Sequence, residues 1–265
     1  NPKISILRQL EGRARYDLLV ISDGDVKVGP DFLSRTVAAL QPGVGLVTCP
    51  YRGGGDSLGG TLETLTIAAD FIPSVAVAYY LEGIRFALGA AMALPRRVLQ
   101  DIGGFAPLAD FLADDYQLGW RVAQAGYRVR LIPYAVETKN PSMTLKDYLL
   151  HQLRWTRTYR VCRPKGYLAY GITHALVYSL AILLATGLAP WAWGLAAATL
   201  ILRGTLAGFS ERRCLKGGLP IAAFALLPLK DLLAFGLWLA SFLGRRVNWG
   251  GCSFRVTPEG KLAPQ

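Results

Sequence analysis

The chain has little of what most metal-cluster and redox chemistry uses: two histidines and four cysteines in 265 residues. Cys49, Cys162, Cys214 and Cys252 stand far apart with no Cys-x-x-Cys pair, so neither a zinc cluster nor a disulfide framework is expected. No cysteine has a base beside it in sequence, which removes the argument for a thiol nucleophile. Gly53-Gly54-Gly55 is not followed by Gly-Lys-Ser/Thr and lacks dinucleotide spacing; it reads as a flexible loop, not a phosphate cradle. The chain starts Asn1-Pro2, without an initiating Met or the regions of a signal peptide, and reads as a fragment or a processed product. Acidic side chains run short in the second half. Residues 146–265 hold 4 against 15 basic ones, residues 1–145 hold 14 of each, and the net charge of +11 therefore sits entirely in the second half. Those basic residues flank long apolar runs, so a bilayer is the expected partner and nucleic acid is not.

What is present begins with an α/β pattern. Tyr16–Ser22 (YDLLVIS) reads as a buried central strand that ends in Asp23-Gly24-Asp25. A helix is predicted after Pro30, a strand over Val44–Pro50, and a helix from about Leu62 to Ala78. A strand follows over Gly89–Leu94, then a helix with Pro95 at its first position, closed by Gly103-Gly104. The stretch from Leu112 to Gly126 predicts a helix with Asp114 and Asp115 in its first turn, and Tyr127–Pro133 alternates as a strand.

The second half changes character. Met143–Arg163 predicts a long helix with Arg154, Arg157 and Arg160 on a polar flank, suited to a bilayer surface. Gly166–Leu202 then runs 37 residues without a charged side chain, and a spanning helix needs roughly 20. Two short spans fit, separated near Gly187–Pro190, with Trp191 and Trp193 at an interface position. His174, inside this run, reads as a helix-packing residue. Gly217–Leu229 and Leu232–Gly244, each 13 residues without charge, are separated by Lys230-Asp231. They make either a third span or two interfacial pieces, the charged pair being costly in hydrocarbon unless neutralised. Two crossings by the 37-residue run would put the basic stretches 154–165 and 203–216 both on the cytoplasmic side.

Three places carry residues able to do chemistry. Asp23 and Asp25, spaced i and i+2 past a strand end, offer hard oxygens to Mg²⁺ or Mn²⁺ bound to a phosphate, although Asp-Gly-Asp also makes ordinary turns. Asp114 and Asp115 offer a general base beside a second carboxylate, or simply acidic stabilisation of a helix start. His151-Gln152-Leu153-Arg154-Trp155 puts a cation for a diphosphate and an apolar wall for an acceptor on one helix, or anchors that helix among head groups.

In that order the motifs RYDLLVISDGD (15–25), GAAMALPRRVLQDIGGF (89–105), LADDYQLGW (112–120) and HQLRW (151–155) resemble the membrane-bound inverting glycosyltransferases of the ceramide glucosyltransferase type, with their bacterial relatives associated with hopanoid synthesis. The resemblance covers nearly the whole chain. It implies an incomplete GT-A-type nucleotide-sugar transferase domain followed by an α-helical membrane region. The corresponding parts are a partial catalytic domain (1–142), an interfacial helix (143–166), a transmembrane region (167–244) and a C-terminal tail (245–265). It further implies metal assistance by Asp23 and Asp25, a base at Asp115 with Asp114 before it, and a terminal motif at 151–155, where His151 replaces the usual Gln or Arg. The donor implied is a UDP-sugar, the acceptor a membrane lipid, and the catalytic domain cytoplasmic. Relatives begin earlier, with a membrane helix and a uridine-holding strand. A processive polysaccharide synthase and a non-enzymatic membrane protein are the alternatives.

Overall fold

A computed structural model describes residues 1–139, 142–249 and 251–264. They form two compact units: Asn1–Tyr51 with Val75–Lys139 and Arg246–Gln265, and Arg52–Ser74 with Asn140–Arg245.

The first unit opens with helix α1 (Pro2–Glu11), where Asn1 caps the Ile4 N–H at 3.1 Å and Pro2 takes the first turn. Strands β1 (Leu18–Ser22) and β2 (Val26–Lys27), helix α2 (Phe32–Ala39) and strand β3 (Val44–Thr48) follow, with β4 (Tyr51–Gly54) starting at the unit's edge. The chain returns with β5 (Ala91–Pro95), α5 (Arg96–Asp101), α6 (Asp114–Gln124), β6 (Arg128–Leu131) and β7 (Val136–Lys139). The main sheet has the order β1-β5-β3-β6, with β5 antiparallel to both neighbours and β3 parallel to β6. β1 was expected to be a buried central strand. It is an edge strand: β5 covers one side only, and Ile21 is its one buried residue. The central positions belong to β5 and β3, whose residues 91–94 and 44–48 are buried.

Ile4, Ile21, Leu46, Met92, Leu94 and Leu99 belong to one core cluster with Leu118 and Val122 of α6. Truncating Leu94 or Leu99 to Ala, both fully buried, would cost about 2–5 kcal/mol. Residues 246–264 form a second sheet in this unit, β8 (Arg246–Trp249), β9 (Cys252–Val256) and β10 (Leu262–Pro264).

The second unit begins with the rest of β4, so Gly53 and Gly54, read as loop from sequence, lie in a strand. A Cβ on Gly53 would collide with the Thr64 hydroxyl, so only glycine lets this backbone lie on the next helix. That helix, α3 (Leu58–Thr66), is capped by Ser57, whose hydroxyl accepts from Gly60 N–H at 3.1 Å. It continues through one π-helical turn (Ile67–Phe71) into α4 (Ile72–Glu82), giving a 25-residue rod rather than the shorter helix expected. Pro73 cannot donate to the carbonyl four residues back. The Arg203 guanidinium donates to that Ala69 carbonyl instead, at 3.0 Å.

Helix α7 (Leu145–Cys162) starts in a reciprocal cap between Thr144 and Asp147. Then come α8 (Pro164–Tyr170), α9 (Ala175–Ala185), α10 (Pro190–Phe209) and α11 (Leu227–Phe242). Among the described residues, three helical stretches are long and apolar enough to cross a membrane, Leu58–Glu82, Pro190–Cys214 and Ile221–Phe242. A fourth is formed if Pro164–Thr173 and Ala175–Ala185, bent by 47°, count as one span. Leu58–Glu82 was not expected among them. Ile221–Phe242, drawn from both 13-residue segments, forms one helical stretch. Arg203, expected in a basic stretch after the span, lies inside it.

The same residues explain how. Arg203 Nη2 donates to Asp70 Oδ1 and to Asp231 Oδ1, each at 2.7 Å, and its Nε donates to Asp231 Oδ2 at 3.0 Å. Lys230 Nζ, with no exposed surface, lies 2.6 Å from an oxygen of each aspartate. Two cations and two carboxylates close on one another across three apolar helices, so no net charge is left in that interior. His174 is buried and stacks edge-on with Tyr170 and Phe235, as a packing residue.

Candidate active site

Strand β1 ends at Ser22, and the chain turns at once: the Val26 N–H donates to the Asp23 carbonyl at 3.3 Å. The Asp23 carboxylate is thereby held at the end of the sheet, beside the segment that leads into β5. Thr48 anchors that segment, its buried hydroxyl accepting from Leu88 N–H at 2.8 Å and donating to Leu88 O at 3.0 Å. Asp114 and Asp115 open α6, where the N-terminal end of a helix favours negative charge.

Lys3 joins these pieces. Its ammonium donates to Asp23 Oδ1 at 2.6 Å and to the Gly89 carbonyl at 3.2 Å, and lies 3.9 Å from Asp114 Oδ2. Asn1 donates through Nδ2 to Asp114 Oδ1 at 3.3 Å and to the Phe111 carbonyl at 2.7 Å. The backbone entering α6 is held from another side too, Leu112 N–H donating to Gly260 O at 3.0 Å and Leu262 N–H to Asp110 O at 2.6 Å. Gly89 is required by proximity: a Cβ there would come within 2.7 Å of Asp115 Oδ2.

Three carboxylates thus share one ammonium. Asp115 is pushed up to about 6, first by burial and then by the charge of Asp114, against the opposing pull of Lys3 and of the Tyr116 N–H. Asp114 is raised as well, burial again leading and Lys3 opposing. Burial would depress Lys3, but Asp114, Asp23 and Asp115 together outweigh it and raise the ammonium. The pair therefore holds a base poised near neutrality next to a carboxyl tied down by Asn1. Cys49, buried, is pushed up to about 12 and is no nucleophile.

Asp23, Asp114 and Asp115 are gathered around Lys3. Asp25 is exposed and makes no ion pair among the described residues, and none of those residues form a set of three or more His, Cys, Asp or Glu able to hold a metal. Sequence reasoning missed Asn1, Lys3 and Gly89. Asn1-Pro2 did carry the signal of a helix start, but nothing in the local pattern aims Lys3 at two aspartates 20 and 111 positions away.

In the second unit, α7 carries the third motif. Gln152 is buried, His151 is about one-quarter exposed, and Trp155 lies against His151 (ring centroids 4.7 Å), Phe71 (5.8 Å) and Tyr159 (6.2 Å).

The family model described as glycosyl transferase family 21 matches residues 1–262. The chain belongs to that family. Among solved structures, this family 21 chain is similar to the mannosyltransferase PcManGT from Pyrobaculum calidifontis, solved in complex with GDP-Man and Mn²⁺. The two are 19% identical with a TM-score of 0.49, and the match covers 91% of this chain and 65% of that one.

Proposed function

We propose that this family 21 chain transfers a sugar, glucose or N-acetylglucosamine, from a UDP-sugar to a membrane lipid hydroxyl such as that of ceramide or a hopanoid, inverting the anomeric carbon. The observation that carries this reading is the Asp114–Asp115 pair with Asp115 pushed up to about 6 beside Asp23 and Lys3. A carboxylate of that basicity is suited to take the proton of an alcohol as it attacks. Lys3 and Asn1 hold the neighbouring carboxyls so that the charge available for proton transfer stays on Asp115.

Asp23 and Asp25 would hold Mg²⁺ or Mn²⁺, an all-oxygen donor set that fits a hard cation. The Lys3 ammonium occupies Asp23 Oδ1 at 2.6 Å, and a divalent cation would compete with it for that oxygen. Such an ion, when bound, offsets negative charge on a leaving diphosphate. Arg154 would add a positive charge for the diphosphate, His151 a polar contact, and Trp155 an apolar wall for the acceptor. The apolar helices suit a lipid acceptor, whose every CH₂ costs roughly 0.8 kcal/mol to move into water. The basic stretch from Arg154 to Lys165 favours a cytoplasmic catalytic unit.

The test is mass spectrometry of lipids after several UDP-sugars are offered to membranes holding the full-length protein. One added sugar per lipid is expected, absent in Asp115→Asn. A ladder of sugars would instead support a processive synthase. No product together with no metal-dependent UDP-sugar binding would leave a non-enzymatic membrane protein.

A further inference from the structure

Within the second unit, helices α3 and α7 meet through polar side chains. Tyr148 and Thr66 share a buried hydrogen bond of 2.8 Å between their hydroxyls. One turn further along α7, Glu63 presents a buried carboxylate, its side chain 6% exposed, to two successive residues of the 151–155 motif. Gln152 Nε2 donates to Glu63 Oε2 at 2.7 Å. His151 Nδ1 stands 3.2 Å from Oε1, an ion-pair distance without the alignment of a hydrogen bond. The imidazole then meets the Trp155 indole at 4.7 Å between centroids and a 61° interplanar angle, and Phe71, from the same helical rod as Glu63, closes on the indole. A carboxylate facing one ring nitrogen selects the proton position of that imidazole.

We infer that Glu63 is a positioning residue for the 151–155 motif: it keeps the proton of His151 on Nδ1 and holds the imidazole, and through it the Trp155 indole, in one orientation. Gln152 is the second anchor of the same carboxylate. The carboxylate acts from α3 on a helix more than 80 residues later, which is why the motif alone does not reveal it. Its consequence for transfer rests on the proposed function; its geometry does not.

The experiment uses the full chain in detergent micelles and reads ¹⁵N and ¹H resonances of the imidazoles. With only two histidines in the protein, His151→Gln assigns the signals. A proton on Nδ1 of His151 is expected, with Glu63→Gln shifting the tautomer and Glu63→Asp restoring part of it. In transfer assays Glu63→Gln is expected to lower kcat about tenfold while the KM for the UDP-sugar stays within about twofold, and to have less than about twofold effect in the His151→Gln background. Unfolding temperatures of each variant separate this from a general loss of fold. A His151 signal unchanged by Glu63→Gln overturns the inference, as does an undiminished tenfold effect in the His151→Gln background. Absence of transfer by the parent protein would sink the proposed function and leave the resonance readout to decide the role of Glu63.

Discussion

Two charge clusters among the described residues are built on opposite terms. In the second unit Asp70, Arg203, Lys230 and Asp231 match two cations to two carboxylates, every pair at hydrogen-bonding distance, between apolar helices. In the first unit Asp23, Asp114 and Asp115 face a single ammonium, and the carboxyls of the α6 pair are raised by it only partly offsetting burial and their mutual repulsion. A balanced cluster has no group left to exchange a proton and serves to hold helices together. An unbalanced one stores electrostatic stress where a proton can be taken up. That difference separates structure from chemistry here more sharply than residue type does, since both clusters set aspartates against basic side chains.

The largest effect expected from breaking the comparison falls on the unbalanced side. Asp115→Asn removes the proposed base while leaving size and shape, and should lower transfer about 10²–10⁴-fold, with UDP-sugar binding within about threefold of the parent. Turnover near the parent level in the full-length protein would reject the assignment. On the balanced side, Lys230→Met strands two buried carboxylates on one guanidinium and should cost about 3–5 kcal/mol of stability, read by thermal unfolding in micelles. Lys230→Met combined with Asp231→Leu leaves the Asp70–Arg203 pair matched and should recover more than half of that loss. If the double variant is the less stable, charge balance is not what the quartet supplies.

A smaller effect tests the close approach within the active cluster. Gly89→Ala puts a methyl carbon within 2.7 Å of Asp115 Oδ2, so the carboxylate or the 88–90 segment must move by tenths of an ångström. Because a misplacement of 1 Å can cost about 10²-fold, a roughly tenfold fall in kcat is expected with the donor KM little changed. A rise in KM with kcat intact would show that Gly89 serves binding and not the placement of Asp115.

What could be read from the sequence follows the range of the interactions. The turn at Asp23 is signalled by a β-rich run stopping at Asp-Gly-Asp, and the start of α6 by acids preceding an apolar period, because these depend on neighbours a few residues apart. The edge position of β1 depends on which strands flank it, and YDLLVIS looks the same in either place. Lys3 and Gly89 gained their roles from Asp23 and Asp115, partners that no local pattern names. The Leu58–Glu82 helix was read from about Leu62 to Ala78 and not as a membrane-length stretch, and the Glu63 and Asp70 it contains turn out to be satisfied by Gln152 and by Arg203 with Lys230 from far along the chain. The Lys230-Asp231 pair was correctly seen as requiring neutralisation; its partners were beyond reach of pattern alone. Family 21 membership agrees with the ordered motifs, which carry more information together than any one of them.

The finest test concerns the proton that the unbalanced cluster holds. With Asp115 pushed up to about 6 in the folded protein and an ordinary carboxylate lower when unfolded, the native state binds this proton more tightly than the unfolded chain does. Stability associated with Asp115 is therefore greatest at acid pH, falls between about pH 4 and 6 as the unfolded carboxyl ionises first, and stays reduced above that. Transfer is expected to run the other way, rising through about pH 6 as the proposed base loses its proton. Asp115→Asn, which carries no charge at any pH, should match the parent in unfolding free energy near pH 4.5 to within about 0.5 kcal/mol and exceed it at pH 7.5 by about 1–2 kcal/mol, the partial exposure of Asp115 reducing the full effect. A stability difference independent of pH would mean that Asp115 ionises as an ordinary carboxylate, and the acid limb of the rate would then belong to Asp114 or to the pair as a whole.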